Sequence, residues 1–127
     1  VIRAMVADLQ LPVRIIPCPI VREPSGLAMS SRNTLLTGAE RDVALNISKC
    51  LFESVDFAKA HTVAETCQYV VTKLNSITEL DVEYYQIVDG ITLQEIESWE
   101  DANEIVGCIT VFCGARPVRL IDNVRYK

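Results

Sequence analysis

The chain has 127 residues, half of them apolar and 23% charged, with a formal net charge of −5. Mixed-sign charge beside that much apolar content excludes a disordered chain. An acidic balance without any basic run disfavours nucleic acid and the membrane surface as partners.

Taken in chain order, Val1, Ile2, Met5, Val6 and Leu9 fall at helical spacing, so residues 1–10 read as the tail of a helix. Pro12 bars its continuation. Residues 13–18, with Val13, Ile15 and Ile16, form a short β-prone run. A helix followed by an apolar strand is the grammar of a layered α/β fold, yet this pair has no sheet of its own to join. A first residue that is not methionine and lies inside a helical pattern gives the expectation of a piece of a longer polypeptide.

Residues 22–36 change character. Arg22-Glu23-Pro24-Ser25-Gly26 is rich in turn formers, and Met29-Ser30-Ser31-Arg32-Asn33 follows. A mobile loop is expected here, with a domain boundary near Asn33. Thr37 and Glu40 then stand in capping-box spacing, as do Thr62 and Glu65. They predict helices over about residues 38–53 and 63–76. The inward face of the first is Val43, Ala44, Ile47 and Leu51; that of the second is Val63, Cys67, Val70, Val71 and Leu74. The last third is strand-like: residues 82–88, a turn at Asp89-Gly90, residues 105–112 and residues 118–121. Two helices packed on a small antiparallel three-stranded sheet make an α+β domain.

Five cysteines, Cys18, Cys50, Cys67, Cys108 and Cys113, include no Cys-x-x-Cys, and there is a single histidine, His61. No zinc-ligand spacing results, and no metal-binding residue is expected. The cysteines read as small hydrophobes in a reducing, cytoplasmic setting. No run approaches the roughly 18–20 apolar residues of a membrane helix.

Chemistry concentrates in Met29-Ser30-Ser31-Arg32. Two hydroxyls and a guanidinium stand on adjacent loop residues. The hydroxyls donate single hydrogen bonds, and the guanidinium is a planar fork suited to phosphate oxygens. Ser-Ser-Arg-Asn before a helix is equally ordinary loop and capping chemistry, so composition alone leaves both readings open.

The run Val21-Arg22-Glu23-Pro24-Ser25-Gly26-Leu27-Ala28-Met29-Ser30-Ser31-Arg32-Asn33 resembles the signature loop of pantothenate synthetases (pantoate–β-alanine ligases). Three further stretches are similar to that family in the same order: residues 1–9, Tyr84-Tyr85-Gln86-Ile87-Val88-Asp89, and Arg119-Leu120-Ile121-Asp122-Asn123. The resemblance implies that residues 1–22 are a helix–strand remnant of a Rossmann-like nucleotide-binding domain. Residues 23–33 would be a mobile phosphate-binding loop, and residues 34–127 a C-terminal α+β lid. It further implies a ligase that joins pantoate to β-alanine through a pantoyl adenylate, with ATP and Mg²⁺, in a homodimeric enzyme. Ser30, Ser31 and Arg32 would hold the ATP phosphates and act in catalysis, Met29 would lie beside them, and Val21 would contact adenine through its backbone. The family's His-x-Gly-His and Gly-Glu-Lys-Asp elements are absent from these 127 residues, as are its pantoate-binding glutamines, so the chain alone is expected to be inactive. Ser25 stands where an aspartate is common. Two other readings stay open: a non-catalytic α+β interaction module, and an adenylate-forming enzyme with a different acid substrate.

Overall fold

Two threonines decide where the main helices begin. A computed structural model describes residues 1–127: α1 (Ile2–Asp8), a 3-10 helix (Ser31–Leu35), α2 (Gly38–Ala58), α3 (Val63–Asn75), β1 (Leu80–Asp89), β2 (Ile105–Cys113) and β3 (Val118–Arg125). The Thr37 hydroxyl accepts the Glu40 N–H at 3.2 Å, and the Glu40 carboxylate accepts the Thr37 N–H at 2.8 Å. Thr62 and Glu65 repeat the same two bonds at the same distances. Donation to the carboxylates, first from the threonine backbone N–H and second from the threonine hydroxyl, holds both carboxyls below the usual glutamate range.

The three strands form one antiparallel sheet in the order β1-β2-β3. Helix α3 lies against β1, and α2 against β2 and β3, so the α+β architecture is the one the sequence pattern implies. Between them Leu51, Val70, Leu74, Ile105, Ile109 and Val111 are sealed from solvent. Each such side chain contributes about 1.5–3 kcal/mol relative to an exposed one.

Strand β1 contains a bulge that its sequence does not announce. Val82 faces Val111 and Tyr84 faces Thr110, leaving Glu83 unpaired. The inward set therefore switches from Leu80 and Val82 before the bulge to Tyr85 and Ile87 after it. Tyr85 then reaches the core, where its hydroxyl meets that of Tyr126, which is 2.7 Å from the Ser54 hydroxyl. Gly107 provides the room: a Cβ there would collide with the Tyr85 hydroxyl oxygen.

Several expected elements change, beyond shifts of one or two residues at the ends of β1 and β2. Helix α2 continues to Ala58 rather than residue 53, because no breaker intervenes and Ser54 turns its hydroxyl back onto the Leu51 carbonyl at 2.6 Å. Strand β3 continues past residue 121 to Arg125, since Asp122 occupies an inward position with a partner waiting. Residues 13–18, expected as a strand, carry no ladder at all. A strand is defined by its neighbour, and residues 13–18 pair with no strand of the only sheet in the chain. Helix α1 likewise buries none of its residues. No helix is long and apolar enough to cross a membrane.

Candidate functional site

The signature loop is a small hairpin followed by a capped turn. The Val21 carbonyl accepts the Met29 N–H at 2.9 Å, and the Leu27 carbonyl accepts the Glu23 N–H at 2.8 Å. Gly26 closes the hairpin at φ 96°, a left-handed conformation that glycine adopts without strain. Ser30 then caps the 3-10 helix, its hydroxyl oxygen accepting the Arg32 N–H at 3.2 Å. That bond uses the oxygen as acceptor and leaves the hydroxyl proton available to a ligand.

Two polar brackets fix this loop to the α+β body. In the first, Arg22 makes a bidentate pair with Asp122 on β3 at 2.7 and 2.9 Å, and donates to the Gly26 carbonyl at 3.1 Å. The Arg22 side chain is 18% exposed and that of Asp122 4%; the guanidinium also lies 4.9 Å from the Phe52 ring. In the second, Arg41 of α2 pairs with Glu23 at 2.5 Å and donates to the Asn33 carbonyl at 3.1 Å. The buried Asn33 amide in turn donates to Glu23 at 3.1 Å and to the Ala28 carbonyl at 3.0 Å. Leu27 anchors the hairpin tip in the hydrophobic core.

These brackets leave a cleft of about 350 Å³ between the loop and β3. Met29, Ser30, Ser31 and Arg32 line it on one side, and Arg119, Leu120 and Ile121 on the other. Arg32 is held across it, its guanidinium donating to the Arg119 carbonyl at 3.0 Å. Two serines and two arginines line the cleft beside apolar Leu27, Ile47, Leu120 and Ile121; Arg119 is paired with Glu83, so Arg32 brings the cleft its charge without a carboxylate partner. Of the residues singled out from sequence, Met29, Ser30, Ser31 and Arg32 are brought together. Val21 sits at the foot of the same hairpin, exposed, with its carbonyl engaged by Met29 and its N–H free.

Sequence reading missed the residues that build the brackets: Arg22, Glu23, Arg41 and Asp122. One signal was available. Asp122 stands at an inward position of an alternating strand, where an unpaired carboxylate would be costly, so a buried cationic partner was required. Nothing local, however, points to Arg22, one hundred positions away. Arg119 was read as strand and not as part of the cleft.

Fold and cleft together define an α+β module whose signature loop and third strand enclose a cleft lined by hydroxyl and guanidinium groups among apolar side chains. The pantoate-beta-alanine ligase family model matches residues 1–125, and the chain belongs to that family. It is 54% identical over its whole length to the pantothenate synthetase of Bacteroides thetaiotaomicron, and 51% identical to that of Bacteroides fragilis strain YCH46. The chain spans 44% of the length of each of these curated relatives. Among solved structures it is similar to the pantothenate synthetase of Thermus thermophilus, with a TM-score of 0.88 at 32% identity, covering 98% of this chain and 44% of the other. A pantoate-beta-alanine ligase from Francisella tularensis, solved with beta-gamma ATP and beta-alanine, matches 98% of this chain and 38% of its own, with a TM-score of 0.63 at 29% identity.

Proposed function

We propose that this chain is the C-terminal, lid-bearing portion of an ATP-dependent ligase that condenses pantoate with β-alanine, and that its cleft grips the ATP phosphates. The observation that carries the reading is the convergence of Ser30, Ser31 and Arg32 on one cationic hollow, with Arg32 braced by the Arg119 carbonyl. Family membership and the ligand-bound Francisella relative support it.

The chemistry follows from charge. A pantoate carboxylate oxygen attacks the α-phosphorus of ATP, the bond to the β-phosphate oxygen breaks, and pyrophosphate leaves. The β-alanine amine then attacks the acyl carbon of the pantoyl adenylate, the bond to AMP breaks, and the amine loses a proton. Negative charge gathers on phosphate oxygens in the first step, so preorganised hydroxyl and guanidinium donors lower its barrier. Ser30 and Ser31 would donate from their hydroxyls and Arg32 from its fork, while Met29 lies beside the phosphates and the free N–H of Val21 meets adenine. No group of three or more histidine, cysteine or acidic side chains comes together in this chain. Mg²⁺ would accompany the ATP phosphates.

The brackets bear on how closure works. Because Arg22–Asp122 and Arg41–Glu23–Asn33 tie the loop to the domain, the phosphate grip would move with the lid as one body about a hinge before Arg22. Closure would exclude water from the adenylate. Homodimer contacts, like the groups that bind pantoate, would come from sequence outside these residues. In the complete polypeptide, Arg32→Ala should lower pantoate-dependent ATP–pyrophosphate exchange by about 10²-fold or more. An unchanged exchange rate would remove Arg32 from the site.

A further inference from the structure

Arg119 opens a motif read from sequence only as a strand, and the phosphate reading above does not use its side chain. Three observations converge on it. It lines the cleft that also holds Ser30, Ser31 and Arg32. Its Nε donates to a Glu83 carboxylate oxygen at 2.7 Å, while neither terminal guanidinium nitrogen makes a hydrogen bond within the chain. Glu83, finally, is the extra residue of the β1 bulge.

The bulge explains how that pair forms. Strands β1 and β3 flank β2, so they run roughly 9.5 Å apart. By register Arg119 faces Phe112, which faces Asp81. The unpaired Glu83 breaks the alternation and reaches across β2 to Arg119, as bulges characteristically re-aim a side chain. A carboxylate that binds only Nε fixes the guanidinium plane and leaves both terminal nitrogens, with four N–H donors, for another ligand. The Arg119 side chain is 44% exposed, so those donors are open to a solute.

We propose that Arg119 is a second phosphate-contacting arginine of the cleft, with Glu83 as its positioning carboxylate. This rests on the reading of Ser30, Ser31 and Arg32 as a phosphate grip and extends it. Arg32 comes from the loop and rests its guanidinium on the Arg119 carbonyl, and Arg119 meets the same polyphosphate from β3. Two neighbouring forks suit a chain of two or three phosphates better than a single phosphate, because each fork needs its own pair of oxygens.

The test is a titration, with inorganic tripolyphosphate, of the ¹⁵N-labelled complete polypeptide that carries this chain, following the Arg32 and Arg119 Nε–Hε resonances. Both are expected to move along one saturable curve. Arg119→Gln should weaken affinity by about tenfold or more, and Arg119→Lys should recover only part, since a point charge lacks the fork. Urea midpoints of both variants serve as the control for folding. If Arg119 merely braces the sheet through Glu83, Arg119→Gln will lower the urea midpoint and leave tripolyphosphate affinity within about twofold; that result overturns the proposal. A curve seen at Arg32 and abolished by Arg32→Ala, with Arg119 silent, would also overturn it while leaving the phosphate grip intact. No perturbation at either arginine would overturn both.

Discussion

Removing the Asp122 carboxylate should destabilise the whole domain, because its partner cannot leave with it. In Asp122→Asn the side chain keeps its shape and loses its charge. Arg22 would then sit largely buried with only the Gly26 carbonyl and the Phe52 ring for company. Two charge-assisted bonds at 2.7 and 2.9 Å are weakened together, each typically contributing about 1.5–3 kcal/mol. Breaking one side of a buried pair costs about 3–5 kcal/mol. Residual exposure of Arg22 places the expected loss at the lower end, about 3 kcal/mol. The assay is urea unfolding followed by fluorescence of the single tryptophan, Trp99, whose ring packs 5.2 Å from that of Tyr126. Arg22→Met combined with Asp122→Leu should recover much of the loss, since it removes both charges at once. An Asp122→Asn midpoint within about 0.5 kcal/mol of the unaltered chain, the ordinary range of surface substitutions, would refute the bracket's role.

Gly107→Ala sets two effects against each other. Ala stiffens the unfolded chain by about 0.4–1 kcal/mol in its favour, but its methyl would collide with the Tyr85 hydroxyl oxygen and lie 2.9 Å from Tyr126. Overpacking, about 1–3 kcal/mol, should win, and a stabilised variant in thermal unfolding would contradict the crowded tyrosine pair. Glu40 and Glu65 carry lowered carboxyl pKa values, so their contribution is fully present above the unfolded glutamate value, about 4.3. It is lost as pH falls through the lower folded values. Glu40→Gln with Glu65→Gln keeps the capping bonds without the titration, so its urea midpoint should fall less between about pH 7 and pH 3; an equal fall would place the acid sensitivity elsewhere. Burial pushes the thiols of Cys50, Cys67, Cys108 and Cys113 upward, that of Cys50 to about 11. Only Cys18 is exposed, so one thiol should react rapidly with a disulfide reagent in the native chain and five after unfolding; rapid reaction of several native thiols would contradict the packing.

What could be read from sequence was local. The two capping boxes lie within four consecutive residues each, and both helices start where they predict. The signature loop was legible because its chemistry sits on adjacent residues. Long-range pairing was not. Asp122 and Asn123 look like the end of a strand until Arg22 supplies a partner. Glu83 looks like an ordinary outward residue until the register of β2 exposes it as a bulge. Arg119 becomes part of the cleft only once β3 lies beside the loop. Residues 13–18 erred in the opposite direction, because β propensity describes a side chain's fit to a pleated surface and cannot supply the neighbouring strand.

The most direct measurement is AMP formation by the complete polypeptide that carries this chain, with MgATP and β-alanine, with and without pantoate. AMP that depends on pantoate is the expected result. AMP formed only with a different acid, or none from well-folded protein under either condition, would contradict the assignment of these 127 residues to a pantoate-activating ligase.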